Sequence, residues 1–462
     1  MADLGVMSTE QIRSRFQGQV IGPEDSGYDD ARRIWNGMID KRPLAVVRVA
    51  GVDDIRQGIA LARETHLPLA IRSGGHDVAG YATVDGGIVL DLGGLKDVVV
   101  DPAQRTIKTG PGAMLGDLDR AGEPHGLAVP TGIISVNTIG GLTLAGGYGW
   151  LIRAYGLTVD NLLEADVVTA AGEPVHASES ENADLFWGLK GGGGNFGVVT
   201  SLTFRAQPLA SPILAGNLIY SVPKWGDALR AYAGWAASLD DRMSTIVRFL
   251  VPPPALRAGD RVLMLIGFAW AGTDLNEGSS ILGPLVKAAP PDFQLVRPTP
   301  WPEWQSSFDF AVPSGLREYW KNAFFTSLSD DVIDMLVAAG SAQTWLGTGI
   351  DLHQLGGASG RVAEDATAFP TRAASFWGNF YGFWRDPADD ERNLQWIHDT
   401  HSAAGRLAMS GPFVNAMSPD SDSMRDQLRA SLGPEKFERM VALKRKYDPE
   451  NLFRLNYNIP PD

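Results

Sequence analysis

His76 is one of only seven histidines in the chain, and it stands in RSGGHDVAG (72–80), directly after the apolar run LPLAI. Gly74 and Gly75 carry no Cβ and can adopt positive φ, so the backbone can turn sharply there and approach a ligand closely. Consecutive N–H groups in such a turn form a concave nest for an anion. A neutral imidazole at that place is a potential nucleophile; read alone, it could also be a turn histidine bonded to backbone. GGLTLAGGYG (140–149) and GGGGNFG (191–197) repeat the glycine chemistry. Three such runs point to one large, extended anionic cofactor. GGGNFG formally matches the dinucleotide fingerprint. That fingerprint needs a strand before it and a helix after it, whereas here a helical pattern precedes and the β-branched VVTSLTF follows.

Other side chains could carry acid–base chemistry. In GIDLHQLGG, Asp351 and His353 share one strand face at period two. They could form a carboxylate-oriented imidazole base or an ordinary salt bridge. Tyr319 and Lys321 in LREYWKNAF alternate in the same way, as do Asn379 and Tyr381 in SFWGNFYGFW. HDTH (398–401) places two histidines at i and i+3, but no further histidine lies nearby and the chain has no cysteine. A metal site is not expected. Neither a Walker P-loop nor a GxSxG elbow is present.

The elements that must position these residues divide the chain by texture. AVVRVA, VDDIRQGIALARETH and LPLAIRS read as a β-α-β unit over 45–73, with Asp53 or Asp54 as N-cap. GGIVLDL, DVVVD and RTIKTG read as a β-meander, with DPAQ as a hairpin turn, and MLGDLDRAGE as a helix. Within 131–206 come the hairpin ADVVTAAGEPVHA, the helix ENADLFWGL and the strand VVTSLTFRA. Together these argue an α+β fold rather than a doubly wound one. Residues 208–420 hold most of the tryptophans and alternating aromatic strands, which suit the wall of an organic-substrate pocket. KRKYDPENLFRLNYNIPP resembles neither part and is expected to return to the first.

Composition sets outer limits. A formal net charge of -14 argues against nucleic acid and anionic membrane as partners. The absence of cysteine excludes disulfides, thiolate metal sites and cysteine nucleophiles. MADLGVMSTEQIRSRF lacks the apolar core of a secretory leader, and no window approaches the length of a membrane helix. A cytoplasmic location is expected.

RSGGHDVAGY (72–81), GGLTLAGGYGWLIRAYGLTVDNL (140–162), DLFWGLKGGGGNFGVVT (184–200), DATAFPTR (365–372) and YDPENLFRLNYNIPP (447–461) occur in order. With them the chain resembles the vanillyl-alcohol-oxidase (PCMH-type) group of FAD-linked enzymes, and within it the berberine-bridge-enzyme-like oxidases. The resemblance implies a PCMH-type FAD-binding domain of two α+β subdomains over 1–206. It implies a substrate domain over 207–420, an antiparallel sheet covered by helices, and a berberine-bridge-like segment, 421–462, returning to the FAD domain. It implies that His76 is joined covalently to the 8α-methyl carbon of FAD. Many relatives add a second link through a cysteine near the position of Ile134; this chain has none, so His76 is the single link.

By the same resemblance Ser73, Gly74, Gly75 and Asp77 hold the pyrophosphate, with Arg72, Gly80, Tyr81 and Thr138 around it. Gly141, Gly146, Gly149, Asp160 and Asn161 lie along the cofactor, and Val199 approaches its adenine half. Asn456 and Asn458 return to the flavin, or are turn residues. The family's usual catalytic glutamate and tyrosine are missing, since the strand reads SFWGNFYGFW and the later motif FVNAMS keeps only Asn415. Asp351, His353, Tyr319, Lys321, Asn379, Tyr381 and Asn415 are the remaining candidates. The implied activity is oxidation of a small organic substrate at a C–H beside N or O, with O₂ as acceptor; a homodimer is one expected assembly. A dehydrogenase using another acceptor (Asn137 replaces an apolar residue that governs oxygen access in plant relatives), a sugar or oligosaccharide oxidase and a non-catalytic flavin carrier stay open.

Overall fold

The computed structural model describes residues 7–251, 262–343, 347–409, 418 and 424–462. Its elements form an α+β architecture of three principal sheets.

The first sheet has four strands. Ala45–Arg48 and Leu69–Arg72 both run parallel to Ile88–Asp91, which lies between them, and Gln19–Ile21 pairs antiparallel on the edge. The β-α-β unit is therefore present, but with a later strand inserted in its middle. This splits the expected meander. IVLD buries its first three residues, as a parallel strand covered on both faces must. VVVD instead alternates between partly exposed and exposed residues, and it forms a hairpin with Thr106–Thr109 at the edge of the second sheet. Helix Val52–Thr65 is capped at Gly51, not at Asp53 or Asp54. Asp54 instead accepts backbone N–H groups of Gln17, Gly18 and Ala50 at 2.7–2.9 Å, tying the amino-terminal loop down.

The second sheet is five-stranded and antiparallel, built by Val98–Asp101, Thr106–Thr109, Val198–Arg205, Leu162–Val168 and Pro174–Ser178 in that spatial order. The carboxy-terminal stretch packs here. Phe437, Met440 and Leu443 share a core with Phe186, Phe196 and Phe204. Lys444 is fully buried, ion-paired with buried Asp448 at 2.7 Å, and donates to the carbonyls of Asn195 and Phe453.

The third sheet has seven antiparallel strands, ordered Phe293–Thr299, Ile213–Tyr220, Leu263–Trp270, Met243–Leu250, Thr348–Gln354, Phe376–Trp384 and Arg317–Phe325. One face packs under the helices Trp225–Ala236, Asp330–Ser341 and Asp390–Gly405, through Val247, Phe249, Ile350, Leu352, Phe380 and Trp384. Because strand side chains alternate, the residues between these face the opposite way, toward the first two sheets.

Candidate active site

A cavity of about 760 Å³ lies between the glycine turns and the free face of the seven-stranded sheet. Its two walls are built differently.

The glycine wall starts where Leu69–Arg72 ends. Gly75 has φ +73°, a conformation that favours glycine, and a Cβ on Gly74 would press Thr138 at 2.6 Å. Among the described residues, no acceptor is paired with the N–H groups of Gly74, Gly75 or His76. Ser73 donates its hydroxyl to the Pro111 carbonyl at 2.5 Å and shares a hydrogen bond with the Thr138 hydroxyl at 3.0 Å, pinning the turn to the start of helix Ile139–Leu144. His76 stacks on Trp35, ring centroids 3.9 Å apart. Burial pulls the His76 pKa down to about 4, against a hydrogen bond to the Val136 carbonyl that raises it. The imidazole is thus neutral at pH 7, with one nitrogen occupied by a carbonyl and the other carrying a lone pair. Burial pushes the neighbouring Asp77 up to about 6, although the N–H groups of Tyr81, Ala79 and Gly80 counter it.

Ser73, Gly74, Gly75, His76, Asp77 and Tyr81 all line the cavity, as do Thr138, Gly141, Val199 and Asn456. The Asn456 amide donates to the carbonyls of Gly194 and Phe453, while its Oδ1 is buried without a partner among the described residues.

Several expected cofactor residues sit elsewhere. Arg72 turns from the cavity into a buried ion pair with Asp91 at 2.8 Å. Asp160 is held bidentately by Arg372 at 2.7 and 2.8 Å and accepts the Leu157 N–H. Asn161 brackets its own turn through the carbonyls of Tyr155 and Leu157. Neither Asp160 nor Asn161 lines the cavity. Gly80, Gly146 and Gly149 also lie behind it and serve packing: Cβ atoms there would strike Ile39, Phe369 and the Thr131 carbonyl. Asn458 lies outside the lining beside Asn456.

Side chains build the opposite wall. Register aligns Arg248 with Asp351, Asp351 with Asn379, and His353 with Trp377 on neighbouring strands. Tyr381 donates its hydroxyl to Asp351 at 3.1 Å, and the Arg248 Nε approaches the other Asp351 oxygen at 3.2 Å. Gly349 makes room for this, since a Cβ there would lie 2.5 Å from the Tyr381 ring. Burial raises the Asp351 pKa against the pull of Arg248 and Tyr381, and raises that of Tyr381 as well. His353 does not pair with Asp351. It leans on Trp377, centroids 4.7 Å apart, and burial plus the Arg248 charge lower its pKa to about 3. The expected Asp351–His353 dyad is therefore an Asp351–Tyr381 pair with a separate neutral imidazole.

Asn379 faces the cavity with a buried Oδ1 that has no partner among the described residues. Tyr319 and Lys321 project to the helix side instead, Tyr319 meeting His398 at 3.3 Å and Lys321 the Ser418 carbonyl at 3.4 Å. They share one strand face, and the opposite face holds the cavity: Glu318 and Trp320 line it. Burial drives Glu318 up to about 8. Asn415 lies outside the described residues. Arg248, Glu318 and Trp35 were missed in the sequence, because each looks like a solvated charge or a core aromatic until the strands are paired.

Comparison with known proteins bears on this cavity. A family model described as an FAD binding domain matches residues 43–178, and one described as berberine and berberine like matches 432–460. An uncharacterized FAD-linked oxidoreductase of Bacillus subtilis, YgaK, is 30% identical over 97% of this chain and 98% of its own. The chain belongs to the FAD-linked oxidoreductases. Among solved structures similar to this oxidoreductase, 6-hydroxy-D-nicotine oxidase from Arthrobacter nicotinovorans superposes with a TM-score of 0.85 at 27% identity, over 97% of this chain and 98% of that one. A glucooligosaccharide oxidase from Acremonium strictum, whose flavin is described as 6-S-cysteinyl, 8α-N1-histidyl FAD, shares the fold (TM-score 0.85, 23% identity, 96% and 97% coverage).

The donor set fits FAD. The unpaired N–H groups of the Gly74–His76 turn suit a diphosphate, and the unpaired carbonyl of Asn456 suits the N–H of a flavin or adenine ring. No helix among the described residues is long and apolar enough to cross a membrane.

Proposed function

We propose that this oxidoreductase carries its FAD on a single covalent bond from His76, and that it oxidises a small organic substrate with O₂ as acceptor, releasing hydrogen peroxide. The observation that carries this reading is His76 itself: neutral, stacked on Trp35, hydrogen-bonded through one ring nitrogen and placed at the cavity wall beside a glycine nest. The chain has no cysteine for a second link. Bound there, the flavin supplies a two-electron acceptor that takes hydride from a C–H next to nitrogen or oxygen.

The chain's own residues do the rest. Ser73, Gly74, Gly75 and Asp77 position the diphosphate, with Thr138, Gly141 and Val199 along the remaining length. On the strand wall, Tyr381 keeps its proton and holds Asp351 in one orientation. Asp351, its pKa raised by burial and its oxygen held by Tyr381, is placed to take the proton of a substrate hydroxyl or amine. Asn379 offers a free carbonyl to the substrate, and His353 stays uncharged. For an amine, the nitrogen lone pair supports hydride loss directly, so Asp351 matters less.

The division we propose assigns 1–206 and 421–462 to the cofactor and 207–420 to the substrate, supported by which sheets form each wall. A cytoplasmic setting, consistent with a cysteine-free chain, and a homodimer belong to the same reading. The test is a substrate screen read by peroxide release, with anaerobic bleaching of the yellow protein. Bleaching followed by rapid recolouring in air is expected. Bleaching without recolouring in air would replace the oxidase by a dehydrogenase.

A further inference from the structure

The Arg248 guanidinium is only 5% exposed and lines the cavity in the middle of the strand wall. Its Cζ lies 3.7 Å from the Phe308 ring centroid, which steadies the cation without occupying a single N–H. Asp351 is the ion-pair partner of Nε at 3.2 Å, and among the described residues Nε has no well-aligned hydrogen-bond acceptor. Neither terminal amino group donates to any atom of the described residues. A guanidinium has five N–H donors in a planar fork. Asp351 balances the charge from the Nε side, but N–H donors of a buried guanidinium are costly to leave without acceptors, so the terminal edge of this fork is arranged for a partner that arrives from the cavity.

We infer that the substrate of this site carries a carboxylate, bound by the terminal edge of Arg248. The inference rests on the cavity being the oxidation site proposed above. A planar carboxylate matches the fork with two parallel N–H···O bonds, which a point cation would not provide. Arg248 and Asp351 are directly opposite on paired strands, where Cα atoms are about 4.5–5.5 Å apart. A molecule held by Arg248 therefore presents atoms only a few bonds from its carboxylate to Asp351 and Tyr381. The class is a small acid with a hydroxyl or amine close to the carboxyl group. Its body packs against the aromatic rings of Trp320, Trp377 and Phe308.

The test uses the flavin-loaded full chain and two probes of equal shape, benzoate and benzamide, titrated by calorimetry and by the change in flavin absorbance. Benzoate is expected to bind at least ~30-fold tighter than benzamide, the size of a lost charge-assisted bidentate contact. In R248Q that preference should vanish, and R248K should recover only part of it. In the peroxide screen, acids should be turned over and their methyl esters should not. Equal binding of benzoate and benzamide by the unaltered protein overturns the inference even if R248Q fails to fold. Unchanged benzoate affinity in R248Q, with a shifted flavin midpoint potential, would place the guanidinium against the flavin and also overturn it. A yellow, peroxide-forming protein that ignores benzoate refutes this inference alone. A protein without flavin refutes the earlier reading, and calorimetry still reports on benzoate.

Discussion

The two walls of the cavity solve the same problem with different materials. The glycine wall is backbone: Gly74, Gly75 and His76 offer N–H groups, and the one reactive side chain is locked by Trp35 and the Val136 carbonyl. The strand wall is side chain: Arg248, Asp351, Asn379 and Tyr381 meet only because three strands are paired in one register. The two histidines show the contrast. Both are neutral through burial, but His76 has a backbone acceptor for one nitrogen and His353 has only the Trp377 ring and a nearby positive charge. A wall of backbone tolerates exchange of most side chains except the one proposed to bond the cofactor. A wall of side chains depends on which face each residue takes.

The largest effect should come from removing the proposed bond of the glycine wall. H76A is expected to lose all acid-stable flavin, read as yellow colour that leaves the protein on acid precipitation, while the fold persists by circular dichroism. Next comes a residue that the family resemblance assigned to the cofactor but the structure places behind the wall. D160N breaks a buried bidentate pair with Arg372 and should cost about 3–5 kcal/mol in denaturant unfolding. It should leave the covalent flavin in place, which separates support of the turn from contact with the cofactor.

A third test addresses the buried acid between the walls. Glu318 titrates near 8 in the folded chain, against about 4.5 unfolded, so the native state holds a proton that the unfolded state has released. Its contribution to stability is complete below pH 4.5 and is lost as pH rises toward 8. Relative to E318Q, the unaltered protein should lose up to ~1.4 kcal/mol per pH unit between pH 5 and 8, measured by urea midpoints across that range. Parallel midpoints for the two proteins would show that the carboxyl is not protonated in the fold.

Smaller effects sharpen the strand wall. Y381F removes the donor to Asp351 and should lower kcat/KM about 10-fold, roughly 1.4 kcal/mol, with little change in Tm. Y319F, one strand over but on the helix side, should change kcat/KM by less than ~2-fold. Equal effects of the two would mean that the assigned faces are wrong.

Much of the fold was legible because its signals are local. The β-α-β unit, the two hairpins and the alternation of the substrate strands follow from apolar periodicity and turn residues. The insertion of Ile88–Asp91 between two earlier strands was not legible, since strand order depends on tertiary pairing. In the site, the glycine turn and His76 could be read because φ freedom and an imidazole after paired glycines are properties of the residues themselves. Tyr319 and Lys321 misled for a physical reason: period two shows that residues share a face but not which face meets the cavity. Asp160 was expected at the cofactor from the family resemblance, and only the structure brings Arg372 to it from 212 positions away.

The central claim is that imidazole 76 holds the cofactor, and intact-protein mass spectrometry of the denatured, purified chain tests it most directly. The account predicts the mass of the polypeptide plus one FAD, with the added mass mapping to the peptide that contains His76. The mass of the bare polypeptide, or added mass on a peptide without His76, would contradict it.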